Sequence, residues 1–319
     1  MSLKILDAGL QTTLQSHPRC GLRGQGVPSG GAADQLSMAL ANRLLDQPGD
    51  TPLLEITLSG AGFHFNAPTR FAVTGGQCAV HHDGHPIGMH EATFAPAGSE
   101  LIIASKNEGA RIYLAIEGGL AASDWLSSKS TCLVTKSGGH DGRPLQTGDV
   151  IGYAGAPSPQ ALGSDQLETP KILRPHMGRS WMLRAVPGPE FDHLTPADQT
   201  RFFSGRFTVS ARASRIGAEL DGPRFDMPQN GKMASAAVFP GTVQCPPEGK
   251  PFLLMCDAGT TGGYPRLANI IRADRHMLGQ IKPGDHVQIK RTDPDTAAQV
   301  LREKTALLRR WLGDTFELR

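Results

Sequence analysis

Short apolar runs, each closed by a turn-forming residue, recur along the whole of this 319-residue chain. They are LEITL (54–58), FAVTG (71–75), ELIIAS (100–105), RIYLAI (111–116), FTVS (207–210), FLLM (252–255) and HVQIK (286–290). β-Branched and aromatic side chains pack well on a pleated surface, while Gly, Pro, Asp and Ser end a strand. With 38 glycines and 24 prolines, the punctuation is too dense for a helical bundle. The pattern predicts a mainly β fold with a few helices.

Three helices can be placed. In AADQLSMALANRLL (32–45), Leu36, Leu40 and Leu44 recur four apart before Gln47-Pro48-Gly49. In TPADQTRFF (195–203), Thr195 is the expected N-cap, with Pro196 at the first helical position and Asp198 completing a capping box. Residues 294–312 form the last, between Asp293 and Gly313, with Val300, Leu301, Leu308, Trp311 and Leu312 as its apolar stripe. One turn also recurs. LQTGDVIGY (145–153) and IKPGDHVQI (281–289) share a Gly-Asp turn leading into an apolar strand, and APAGSELII (95–103) is a looser version. These echoes point to two related β-barrel subdomains, 1–160 and 161–319. The segment AGAPSPQALGSDQLETP (154–170) has no periodic pattern and reads as the linker.

Several function classes are excluded. A formal charge of +2 and the lack of a basic run with interleaved aromatics argue against a nucleic-acid surface. The opening MSLKILDAGLQTTLQ lacks the apolar core of a signal peptide, and no stretch approaches about 18 apolar residues. Five scattered cysteines without CxxC spacing fit free thiols in a reducing cytoplasm. Neither Gly231-Lys232-Met233 nor Gly249-Lys250-Pro251 carries the hydroxyl and glycine spacing of a phosphate loop. There is no Gly-x-Ser-x-Gly elbow, and no lysine stands between methionines as in a biotin carrier. HHDGHPIGMH (81–90) offers histidines to a metal, but Asp83-Gly84 also suits a type I′ hairpin turn that would scatter them over two faces. No metal site is expected.

The chemistry concentrates in glycine-rich segments outside the helices. In CDAGTTGGYPR (256–266), Asp257 at a strand end can act as base or orient a water, and Thr260 and Thr261 offer hydroxyls. Gly262-Gly263 allow close backbone approach, Tyr264-Pro265 fixes an extended exit, and Arg266 can neutralise an anion. RCGLRGQGVPSGGAAD (19–34) brings Arg19, Arg23 and Asp34 to a backbone freed by Gly24 and its neighbours, a pattern suited to anions. Arg212 and Arg215 in SARASRIGAELDGP (210–223) suit a carboxylate or phosphate. Gln244, in FPGTVQCPPEG (239–249), sits between apolar neighbours and needs a partner or a ligand. EGGLAASDWLSSKST (117–131) reads as a pinned structural loop. For residues 256–266 the alternative is a rigid turn with self-satisfied polar groups, and for 19–34 a surface loop preceding a helix. The functional reading requires Asp257, Arg215 and the N-terminal glycine loop to line one cleft.

At these residues the chain resembles a known family. LDAGLQTTLQ, GVPSGGAAD with the helix to ANRLL, LLEITLSG, VTGG, YLAIEGGL, SSKST, GGHDGRPLQTGD, PGPE, SRIGAELDGP, PGTVQCPPEGKP and DAGTTGGYPR occur in the order seen in the family of 5-oxoprolinase C subunits, also known as KipA or allophanate hydrolase subunit 2. The same module resembles half of the carboxyltransferase domain of urea carboxylase. The resemblance implies two cyclophilin-like β-barrel subdomains. It also implies a KipI-like B subunit and a third polypeptide as partners, in an assembly that opens 5-oxoproline to glutamate with ATP and magnesium, without covalent biotin on this chain. In that reading Asp257, Arg215 and Gln244 are the catalytic candidates. Arg19, Gly24, Asp34, Arg212, Thr260, Thr261, Gly262, Gly263, Tyr264 and Arg266 hold the substrate or its charge.

Two alternatives follow from the same resemblance: a carboxyltransferase component of a biotin-dependent urea-type carboxylase, and a non-catalytic KipA-like protein that binds a KipI-like kinase inhibitor. The chain also departs from the family pattern in the loops at issue. Gln15-Ser16-His17-Pro18-Arg19 lacks the usual Asp and Gly, and Gly30-Gly31-Ala32-Ala33-Asp34 replaces Ser-Gly-Ala-Met-Asp. Ile216-Gly217-Ala218 replaces Met-Gly-Tyr, and Asp257-Ala258-Gly259-Thr260-Thr261 lacks the usual glutamine.

Overall fold

The computed structural model describes residues 1–156, 167–227 and 233–318. The chain divides into two compact units. The first comprises Met1–Pro18, Gly30–Met177 and Leu312–Phe316, and the second Arg19–Ser29, Gly178–Trp311 and Glu317–Arg319. The first unit thus extends past residue 160, because the end of the proposed linker stays tied to it: the Thr169 amide donates to the His90 carbonyl at 2.9 Å. Residues 157–166 of that linker lie outside the described residues.

The first unit holds one nine-stranded sheet built from β1 (Ser2–Asp7), β2 (Gln11–Gln15), β3 (Leu53–Thr57), β4 (Ala61–Phe65), β5 (Thr69–His82), β6 (His85–Ile87), β7 (Ala92–Ala95), β8 (Glu100–Ile116) and β9 (Val150–Gly152). Its main path runs β2-β3-β8-β4-β1-β9, with β5 paired to β6, β7 and β8. The runs ELIIAS and RIYLAI, expected as separate strands, are the two ends of β8, which pairs with β4 at one end and β3 at the other. Register shifts near Gln77 keep β5 in step with β8. The interior is closed by Leu3, Ile5, Leu14, Ile56, Phe63, Phe65, Phe71 and Leu114, all at most 1% exposed. Fully burying each such side chain is worth about 1.5–3 kcal/mol. Helix α1 (Gln35–Arg43) is capped by Asp34, whose carboxylate accepts from the Ser37 amide at 3.0 Å.

HHDGHPIGMH forms the β5–β6 hairpin, with His82 opposite His85 and positive φ at both Asp83 and Gly84, as a type I′ turn requires. His82 packs edge-on to Phe71 and Phe65.

The second unit is a closed seven-stranded barrel. Its strands are β10 (Ser180–Pro187), β11 (Arg206–Ala213), β12 (Gly217–Asp221), β14 (Thr242–Gln244), β15 (Phe252–Leu254), β17 (Arg266–Ile270) and β18 (His286–Arg291). They close in the order β10-β17-β14-β15-β12-β11-β18, with β18 parallel to β10. A two-stranded ribbon, β13 (Ala236–Ala237) with β16 (Thr261–Gly262), stands beside it. Along β18, Val287 and Ile289 point into the core while His286, Gln288 and Lys290 stay partly exposed. Helix α2 (Pro196–Ser204) inserts Phe202 between Phe207 and Phe225, and α3 (Pro294–Leu312) buries Leu308. The fold is mainly β, with two cyclophilin-like barrel subdomains. Among the described residues no helix is long and apolar enough to cross a membrane.

The echoed Gly-Asp turns are the same device used twice. Gly148 donates to the Ile5 carbonyl and Ile5 donates back to Asp149, at 2.8 and 2.9 Å; Gly284 and Val209 exchange bonds at 2.8 and 2.9 Å, through Asp285, in the same way. In each turn the aspartate carboxylate also accepts the amide three residues earlier, Gln146 in one and Lys282 in the other. The glycines adopt φ of +96° and +83°, a region open to glycine at little cost.

Candidate functional site

Residues 256–266 cross the barrel end between β15 and β17, and backbone bonds tie them down on several sides. The Asp257 amide donates to the Arg215 carbonyl at 2.8 Å, which joins the loop to the β11–β12 turn. Val238 donates to the Thr260 carbonyl at 3.0 Å, and Cys245 to the Pro265 carbonyl at 2.9 Å. Eleven residues of glycine, hydroxyl and charge thus make a fixed platform in which few backbone groups are left to fluctuate.

Side chains beneath the platform are committed to one another. Arg215 donates from Nε to Asp257 Oδ2 at 2.7 Å and from Nη2 to Oδ1 at 2.9 Å, and both residues are 5% exposed. A fork-on-fork pair of this kind engages both carboxylate oxygens, so Asp257 orients the guanidinium. Arg266 forms a second bidentate pair with Glu190, at 2.9 and 2.7 Å, and adds a bond from Nη1 to the Ala237 carbonyl at 2.9 Å. The Arg266 guanidinium holds the Glu190 carboxyl below its ordinary 4.5. Glu190 escapes a motif search because it lies in PGPE, 76 residues from its partner. The only local signal is that PGPE belongs to the resemblance.

Gln244 on β14 is buried and donates from Nε2 to the Tyr264 carbonyl at 3.3 Å. A Cβ on Gly262 would stand 2.4 Å from that same Nε2, so glycine there is what lets the amide lie under the loop. Gly263 is less constrained: its Cβ would meet the Met233 carbonyl at 3.3 Å.

The upper rim is different in character. Gly259, Thr261 and Tyr264 are exposed, and Thr260 is partly so. These are the groups of the loop that a ligand can reach. Arg23 reaches the platform from the N-terminal glycine loop. It donates from Nη2 to the carbonyls of Val238 and Gly259, the latter at 3.0 Å, and from Nη1 to Ser29 Oγ at 3.1 Å. The structure therefore brings Asp257, Arg215, Gln244, Thr260, Thr261, Gly262, Gly263, Tyr264 and Arg266 to one place within the second unit, with the 19–29 loop beside them.

Other candidates have other surroundings. Arg19 is buried, its amide bonded to the Ser29 carbonyl at 2.7 Å. Gly24 is exposed in a short turn with open space about it, so nothing there requires close backbone approach. Arg212 is largely solvent-exposed and 3.8 Å from Glu219. Asp34 belongs to the first unit, where it caps α1. Among the described residues no group of three His, Cys, Asp or Glu could hold a metal ion. Arg275 carries no signal in the sequence. It lies with its Cζ 4.9 Å from the centre of the Phe239 ring, and Nε donates to the Ile270 carbonyl at 3.3 Å.

Comparison with known proteins places this architecture among others. A family model described as carboxyltransferase domain, subdomain A and B, matches residues 25–291. The chain is 35% identical over 289 residues to the 5-oxoprolinase C subunit of Escherichia coli (strain K12), covering 89% of each. It is 32% identical over 306 residues to the protein of the same name from Haemophilus influenzae, covering 96% of each. The crystal structure of Kluyveromyces lactis urea carboxylase is similar with a TM-score of 0.90 at 27% identity; that match spans 100% of this chain and 30% of the other.

Proposed function

Because the chain belongs to the carboxyltransferase-domain family with subdomains A and B, we propose that it is the C-type subunit of an ATP-dependent 5-oxoprolinase. In this reading it acts with a KipI-like B-type subunit and a third polypeptide to open 5-oxoproline to L-glutamate. The observation that carries the reading is the 35% identity to the 5-oxoprolinase C subunit of Escherichia coli over 89% of both chains.

A lactam is a stabilised amide, and water adds to its carbonyl carbon slowly. ATP supplies the driving force when its phosphoryl transfer is coupled to ring opening. The donor set of this chain does not fit a magnesium-bound nucleotide, since neither a phosphate loop nor a metal-binding cluster is present among the described residues. The reading therefore gives nucleotide binding to a partner protein and the lactam to this chain. Here the platform supplies donors that need not reorganise as charge develops. The Thr260 and Thr261 hydroxyls can hold the ring, while Asp257 keeps Arg215 fixed at the start of the same loop. Gln244 and Gly262 set the height of the rim.

Mixing the purified proteins and measuring 5-oxoproline-dependent glutamate and ADP formation tests the reading. Formation that needs this chain, and that falls at least 100-fold in Thr260→Val/Thr261→Val, is the expected result. A complex that assembles without turnover of 5-oxoproline overturns it and favours the KipA-like binding role. The likeness to urea carboxylase favours a second reading, carboxyl transfer from carboxybiotin. Carboxylation of urea by the same complex with an added biotin carrier would establish that one instead.

A further inference from the structure

Two guanidiniums flank the Val238–Gly241 turn without a carboxylate to neutralise them. Arg23 spends its bonds on Ser29 Oγ and the carbonyls of Val238 and Gly259. Arg275 stacks on Phe239 and gives only Nε to a carbonyl, that of Ile270. Among the described residues its four terminal N–H groups have no acceptor, and no acidic side chain pairs with either arginine. By contrast, Arg184, Arg215 and Arg266 of this unit hold bidentate carboxylates.

The surroundings are built to keep Arg275 where it is. Gly241 has a φ of +94°, and a Cβ there would press on Arg275 Nε at 3.3 Å. Phe239 covers one face of the guanidinium and leaves its edge open, the edge from which arginine makes paired bonds to a planar acid. Next to Phe239, the Val238 amide donates to the Thr260 carbonyl at 3.0 Å, and there the Thr260 and Thr261 hydroxyls are uncommitted and Gly259 is exposed. Burial, with repulsion from Arg272 and Arg23, lowers Arg275 from 12.5 to about 10. A half-buried cation pushed in that direction gains from an anion brought next to it.

We propose that Arg275 and Arg23, with the Thr260–Thr261 rim, form a carboxylate subsite that receives the acid group of a small amino-acid-derived substrate. This inference rests on the reading above and deepens it, by assigning the carboxyl group that ring opening leaves unchanged. A carboxylate is preferred over a polyphosphate because among the described residues no metal-binding cluster is present to share a polyphosphate's charge.

The test is calorimetric titration of the full chain with 5-oxoproline, with acetate, and with inorganic phosphate. Binding of 5-oxoproline, weaker binding of acetate, and at least tenfold loss in Arg275→Gln are expected. Arg275→Lys keeps the charge but not the fork and is expected to lose affinity by a smaller factor, while exposed Arg272→Gln binds as the unaltered chain does. Circular dichroism on each variant separates lost binding from lost fold. Undiminished 5-oxoproline binding in folded Arg275→Gln, no binding by the unaltered chain, or binding of phosphate alone would each overturn the subsite. The two ideas fail separately. Carboxylate binding through Arg275 in a complex that never forms glutamate would sink the activity and leave the subsite standing.

Discussion

Arg215 and Asp257 meet across 42 residues of sequence through two charge-assisted hydrogen bonds, at 2.7 and 2.9 Å, while the Asp257 amide returns a third bond to the Arg215 carbonyl. The pair thus joins two loops at the barrel end through both side chain and backbone. The pair is buried at the start of the loop whose Thr261 and Tyr264 are exposed, and it anchors that end of the candidate site.

Removing one partner leaves the other charge buried and unpaired, at a cost of about 3–5 kcal/mol. Asp257→Ala and Arg215→Ala are each expected to lower the urea midpoint by a corresponding amount. The double variant is expected to fall well short of the sum, since the second removal strands nothing further. Strictly additive losses would show that the two side chains do not act as a pair.

Gly262 and Gln244 make a steric couple. Gly262→Ala places a methyl 2.4 Å from the Gln244 amide nitrogen, and overpacking of this kind costs about 1–3 kcal/mol. Gln244→Ala in the same chain opens the space, so part of that cost is expected to return. Thermal denaturation of the two single variants and the double variant gives the coupling, and its absence would mean the loop shifts freely instead of resting on Gln244.

His276 predicts an acid limb. Burial first, and Lys304 second, depress its imidazole from 6.5 to about 3 in the folded chain. The unfolded chain therefore takes up a proton before the folded one does. The stability contributed by the neutral ring is complete above pH 6.5 and is lost progressively as pH falls from 6.5 toward 3. The slope is at most about 1.4 kcal/mol per pH unit in that window. His276→Gln, which can still accept from Lys304, is expected to flatten it. Parallel stability–pH curves for the two proteins would refute the assignment.

Local grammar was legible wherever the physics is local. Asp83-Gly84 needed only two residues with positive φ, Thr195-Pro196 only a cap and a preset φ, and the Gly-Asp turns at 148–149 and 284–285 only their own hydrogen bonds. Continuity was harder. Residues 100–116 read as two strands because Gly109 punctuates them, yet pairing along β5 carries one strand through. The candidate site was legible as a list of segments, but the roles within it were not. Arg266 looked available for a ligand until β17 paired with β10 and set Glu190 against it. Arg275 carried no motif at all, and only its seat on Phe239 draws notice.

From its residues alone, this chain was bound to short strands, glycine turns and a repeated barrel device, because φ preferences and alternation of apolar side chains act over a few residues. Closing the second barrel decided which charged groups became buried struts and which stayed at the rim. Burial and the choice of an ionic partner depend on strands that lie dozens of residues apart, and no window of sequence contains both.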